Sequence, residues 1–147
     1  IRDLRRISNE HTRRLDDMLG MMIHGFDQMR RFAGISLEEL VRGMLTKVMQ
    51  DNNELPRDKE LTSITIDGEE IDIFCDEPLI VGEVTSYADS IDEVYKLVKK
   101  VKLVRDRFNR EPVRILLIIT NINREVYEDM VREAEANRIE VIIGKRV

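Results

Sequence analysis

The stretch from Glu70 to Thr85 constrains this chain most. Ile71, Ile73 and Cys75 alternate with Asp72 and Phe74, the period of a strand with one buried face. After a short turn, Leu79 to Thr85 is an almost unbroken apolar run that contains one carboxylate, Glu83. A strand apolar on both sides is covered on both faces, so Glu83 is expected where water is scarce. A buried unpaired charge is costly, and the usual remedies are a partner or a bound cation. Asp72 is the nearest group able to share such a site.

Whether the two acids meet depends on register. Paired residues in a hairpin have a constant sum of sequence numbers. A four-residue turn at Asp76 to Leu79 sets Asp72 directly opposite Glu83. A two-residue loop at Asp76-Glu77 makes them diagonal on one face. A one-residue slip from either register puts them on opposite faces. Like charges directly opposite destabilise a sheet, and a divalent cation would relieve both the repulsion and the burial. Mg²⁺ takes carboxylate oxygens together with waters and phosphate oxygens.

The rest of the chain reads as support for these strands. Residues 1–33 lack proline, and Leu4, Ile7, His11, Leu15, Met18, Met22, Phe26, Met29 and Phe32 follow steps of three and four. That is close to a heptad seam, predicting one long helix that either packs on the following domain or pairs with a second copy. Gly34 ends it. A domain over 35–147 then opens with a helix. Its capping box is Ser36 with Glu39, and its apolar face includes Leu37, Val41, Leu45 and Met49. Leu61–Ile66 is a strand, and Asp67-Gly68 is a type I′ hairpin signal. A second capping box, Ser90 with Glu93, starts a helix to Phe108 with an expected inward stripe of Ile91, Val94, Tyr95, Val98, Val101, Val104 and Phe108. Val113–Thr120 is the most apolar strand and is expected at the sheet centre. A helix from Arg124, capped by Asn123, and a strand Ile139–Ile143 complete the domain. The expected class is α/β, with a mixed sheet flanked by helices in the order α-βββ-α-β-α-β behind a long N-terminal helix. The unit joining the third and fourth strands is long enough for a crossover that makes them parallel.

Composition narrows the function classes. One Cys and two His leave little for a zinc site built from nitrogen and sulfur ligands. The lone Cys fits a reducing compartment, so a cytoplasmic location is expected. No apolar run approaches membrane-span length. No P-loop or G-x-G-x-x-G pattern is present, which disfavours nucleotide cofactors. The chain begins with Ile1 and not Met, so a fragment or processed chain is expected, which leaves room for an upstream segment. Abundant Lys, Arg, Glu, Ile and Val with only two Gln resembles a thermophile's composition. Net charge is −5, yet the charges are segregated. Glu54 to Glu83 holds ten acids against two bases, whereas Asp89 to Arg110 holds seven bases against four acids. An acidic pocket beside a basic helix suits a metal-dependent enzyme acting on a polyanion, although solvated surfaces can carry the same pattern.

The acid in I-D-I-F, a turn, and an apolar run into G-E-V-T resemble the PD-(D/E)xK nuclease superfamily, which includes restriction endonucleases and archaeal Holliday-junction resolvases. The helix, three strands, helix and strand from Ile35 to Thr120 are similar to that fold, and coiled-coil extensions resemble those of archaeal members. The resemblance implies that Asp72 and Glu83 coordinate a catalytic Mg²⁺ or Mn²⁺, joined by Glu39 or, second, Glu38 from the preceding helix. It implies a metal-dependent endonuclease acting on DNA, and the heptad-like seam of residues 1–33 adds a homodimer through the N-terminal helix as one of its two readings. The family's E-x-K lysine is replaced by Thr85. Thr85 can hydrogen-bond a water but supplies no positive charge, which implies weakened activity unless Lys96 or Lys99 of the next helix substitutes. The alternative is a catalytically inactive module of the same fold for DNA or protein binding and assembly.

Overall fold

The computed structural model describes residues 19–26 and 34–147. Within them, a five-stranded mixed sheet is flanked by four helices. The order is a helical segment at 19–26, α1 (Leu37–Asp51), β1 (Thr62–Ile66), β2 (Glu69–Cys75), β3 (Ile80–Ala88), α2 (Asp92–Phe108), β4 (Arg114–Ile122), α3 (Tyr127–Ala136) and β5 (Glu140–Arg146). The strands lie side by side in sequence order. β1–β2 and β2–β3 are antiparallel, and β3–β4 and β4–β5 are parallel.

Local chemistry explains most of the elements. The β1–β2 turn is Asp67-Gly68 with φ of 50° and 80°, two left-handed positions in succession, as a type I′ turn needs. Helix α1 starts where the Glu39 N–H donates to Ser36 Oγ at 3.1 Å, and it buries Leu37, Val41, Leu45 and Met49 at steps of four. The second expected capping box does not form. Ser90 Oγ accepts instead from the Asp92 N–H, and Glu93 turns toward β3. Asn123 accepts from the Glu125 N–H in a local turn, so α3 begins at Tyr127, after the expected start.

The sheet separates two apolar layers. Leu19, Ile23 and the buried face of α1 cover Ile73, Ile80, Val84, Leu116 and Ile118. The inner faces of α2 and α3 cover Ile71, Phe74, Val81, Leu117 and Ile119. Every residue of β4 from Ile115 to Thr120 is buried, the mark of a strand inside a two-sided sheet. The long N-terminal helix and its pairing lie largely outside the described residues. Within 19–26, Leu19 and Ile23 are buried against the sheet, whereas Met22 and Phe26 of the expected seam are exposed.

Two departures from the sequence expectation position the site. Strand β2 does not alternate cleanly: Ile71 and Phe74 share the α2 face, whereas Ile73 and Cys75 face α1. The pairing with β1 shifts between Thr62↔Phe74 and Ile64↔Ile71, so β2 carries an extra residue there. Asp72 lies in this bulge. Helix α2 is also rotated from the expected phase. Leu97 is buried along with Val94, Val101 and Val104, and Tyr95 points outward to Glu133.

Close packing fixes the β2–β3 pair. A Cβ on Gly82 would lie 2.8 Å from the Leu116 carbonyl oxygen and 3.2 Å from the Ile73 side chain. Backbone cannot swing aside as a flexible side chain can. Gly82→Ala is expected to destabilise the domain by roughly 1–3 kcal/mol, read as a lower urea midpoint with an unchanged slope.

Candidate functional site

The turn between β2 and β3 sets the meeting of the acids. Cys75↔Ile80, Phe74↔Val81 and Ile73↔Gly82 are paired, the register of the four-residue turn. The ladder ends at that point, and the next positions in the same register are Asp72 and Glu83. Their side chains take over the bonding. The Asp72 N–H donates to Glu83 Oε2 at 2.9 Å, and the Val84 N–H donates to Asp72 Oδ2 at 3.0 Å. Each carboxylate thus satisfies an amide of the opposite strand. Beyond this reciprocal pair β2 and β3 diverge, forming a fork whose β3 arm continues alongside β4.

The fork is braced from both layers. From α1, Arg42 Nη1 donates to the Asp72 carbonyl oxygen at 2.9 Å. From α2, Lys100 Nζ donates to the Glu70 carbonyl oxygen at 2.6 Å and to Glu83 Oε1. Lys100 therefore joins the β2 arm to the β3 arm. Glu83 shares the α2 face with Val81, two residues earlier on β3. Thr85 continues that face, and its Oγ1 donates to Glu93 Oε2 at 3.2 Å. With its hydrogen committed to Glu93, Thr85 can only accept from anything else in the groove.

A groove of about 510 Å³ opens along α2, lined by Glu69, Glu83, Glu93, Lys96, Lys99, Lys100 and Leu103. Acids and lysines thus share one concavity. Lys96 pairs with Glu93 at 3.3 Å, and Lys99 lines the wall. The lysine on Glu83 is Lys100. The rotated phase of α2 explains why sequence reasoning passed over it: burial of Leu97 brings Lys100 to the flank of the inward stripe, whereas a stripe through Tyr95 leaves it on the far side. The available signal was the spacing of Glu93, Lys96 and Lys100, which share one helix face.

Glu39 does not join the acids. It is exposed and lines a separate groove with Arg42, Gly43, Thr46 and Lys47. Among the described residues, no three of His, Cys, Asp and Glu converge as a ligand group. Cys75 is a buried free thiol within the α1 layer. No helix among the described residues is long and apolar enough to cross a membrane. Comparison with protein-family models, curated proteins and solved structures yields no match.

Glu83 is the electrostatic centre of the site. Burial, reinforced by the Asp72 carboxylate, pushes its pKa up from 4.5 to about 7, against the pull of Lys100 and the Asp72 amide. A carboxyl raised in the folded state holds its proton more tightly than in the unfolded chain. Its contribution to stability is complete below pH 4.5 and is lost as pH rises through about 7. Glu83→Gln removes this dependence. Relative to the wild type, the variant is expected to gain about 2–3 kcal/mol as pH rises through that interval. Urea denaturation at several pH values checks the slope.

Proposed function

We propose that this chain is a divalent-cation-dependent nuclease domain that hydrolyses DNA phosphodiester bonds at the β2–β3 fork. The observation that carries this reading is the carboxylate pair at the point where the strands part, with a lysine ammonium held on the second acid. The succession of helix, three-stranded meander, helix and strand around a mixed sheet supports a restriction endonuclease-like plan.

The donors suit a hard cation. Both are carboxylates, and Asp72 Oδ1 accepts no hydrogen bond from any described residue. Mg²⁺ or Mn²⁺ needs only one or two protein carboxylates when waters and phosphate oxygens complete its shell, so Asp72 and Glu83 would hold it. Bound there, such an ion supplies an activated water and offsets the negative charge that develops on the phosphodiester. The chain's own residues would do the rest. Lys96 and Lys99, on the groove wall, attract the phosphate backbone without regard to sequence. Thr85, limited to accepting, orients a water by taking its hydrogen. Lys100 is the chain's own counter-charge to Glu83 in the absence of an ion. Met22 and Phe26, exposed on the 19–26 segment, offer apolar side chains to a second copy, consistent with a dimer.

One observation favours a non-catalytic binding module as the second reading. Asp72 Oδ2 and both Glu83 oxygens already have protein donors, so the fork is satisfied as a structural joint. Cleavage separates the two. Wild-type protein with Mg²⁺ or Mn²⁺ is expected to cut at least one of a panel of duplex, flap and junction DNAs. Asp72→Ala and Glu83→Ala should each lower that rate by about 100-fold or more. Absence of wild-type cleavage selects the binding module, and full activity in either variant removes the reaction from the fork.

A further inference from the structure

The proposal concerns Lys100 and rests on the reading of the fork as a cation site. Lys100 Nζ donates to two oxygens that belong to different arms: the Glu70 carbonyl on β2 and Glu83 Oε1 on β3. Carbonyl and carboxylate oxygens are also the ligand types that a hard divalent ion takes. The pair is largely shielded from water, with the Lys100 side chain 18% exposed and that of Glu83 14% exposed. Glu83 Oε2 accepts from a backbone amide fixed in β2, whereas the partner of Oε1 is a side chain that can move, so Oε1 is the oxygen open to exchange with an ion. Lys100 holds that oxygen.

We propose that Lys100 is a tethered cation that closes the fork, and that a divalent ion enters only by displacing its ammonium from Glu83. Two cations on one carboxylate oxygen repel strongly where water is scarce, so the ion and the ammonium exclude one another. The same groove receives the released side chain. It is lined by Lys96 and Lys99 and by Glu93, whose carboxylate is already paired with Lys96 and Thr85. Lys100 thus has two stations on one helix. It closes the fork in the ion-free protein and adds a third lysine to the groove in the ion-loaded one. The order of events follows: ion entry both creates the metal centre and delivers a positive charge to the substrate side.

Isothermal titration with MnCl₂ tests the exclusion directly. Lys100→Met is expected to bind Mn²⁺ at least about tenfold more tightly than the wild type. Lys100→Arg, which keeps the charge, should stay close to wild type. Asp72→Asn in the Lys100→Met background should abolish the gain. Equal or weaker binding by Lys100→Met overturns the closure while leaving the cation site standing. No binding by either the wild type or Lys100→Met overturns both. A second measurement needs no variant at position 100. Acetylation of Lys100 in the wild-type protein, followed by mass spectrometry, should quicken several-fold when Mg²⁺ is added. That increase should vanish in Asp72→Asn. Unchanged or slower labelling with the ion overturns the proposal.

Discussion

Two hydrogen bonds hold the forked end of the β2–β3 pair together: the Asp72 amide to the Glu83 carboxylate, and the Val84 amide to the Asp72 carboxylate. Where an antiparallel ladder stops, backbone N–H groups lose their partners, and a buried N–H without one costs free energy comparable to a lost hydrogen bond. Here the acids supply the missing acceptors. The strands can therefore part in the interior without leaving those amides unsatisfied. The cost is a carboxyl withdrawn from water beside a second carboxylate, and burial above all, with a smaller push from Asp72, raises the pKa of Glu83.

The surrounding scaffold makes that arrangement tolerable. Strand β3 runs beside β4, which is buried from Ile115 to Thr120, so its arm of the fork is held by a paired core strand. Gly82 allows the Leu116 carbonyl to approach one residue before Glu83. The bulge in β2 re-aims Asp72 while Ile73 and Cys75 stay in the opposite layer. Arg42 and Lys100 reach in from helices on the two faces and tie the fork to both cores. An ion pair as shielded as Glu83–Lys100 gains little net stability by itself. Removing one partner is what would be expensive, because the other charge stays behind.

Part of this was readable in the residues. The Asp67-Gly68 turn, the Ser36 cap and the four-step stripe of α1 are local features, set by interactions within a few residues. The register that brings Asp72 opposite Glu83 was one of two turn lengths open to the sequence, and the structure adopts the four-residue turn. The phase of α2 was harder. Tyr95 and Leu97 are both apolar enough for an inward stripe, and the choice between them decides which lysine flanks the core. The pull of Thr85 on Glu93 was likewise invisible, because it competes with a local cap that the sequence pattern favours.

By itself the sequence determined the element order, the turn that joins the first two strands, the covered character of β4, and the presence of one acid on each of two neighbouring strands. These follow from hydrophobic periodicity and backbone preference, which act over short distances along the chain. Only the tertiary structure decided that the β2–β3 ladder ends at the acids, that Glu39 faces a different groove, and that Lys100 bonds to both arms of the fork. Each of those outcomes depends on how a helix rotates against a twisted sheet to bury the most apolar surface. That choice is made by packing between segments far apart in the chain, and no short stretch of residues records it.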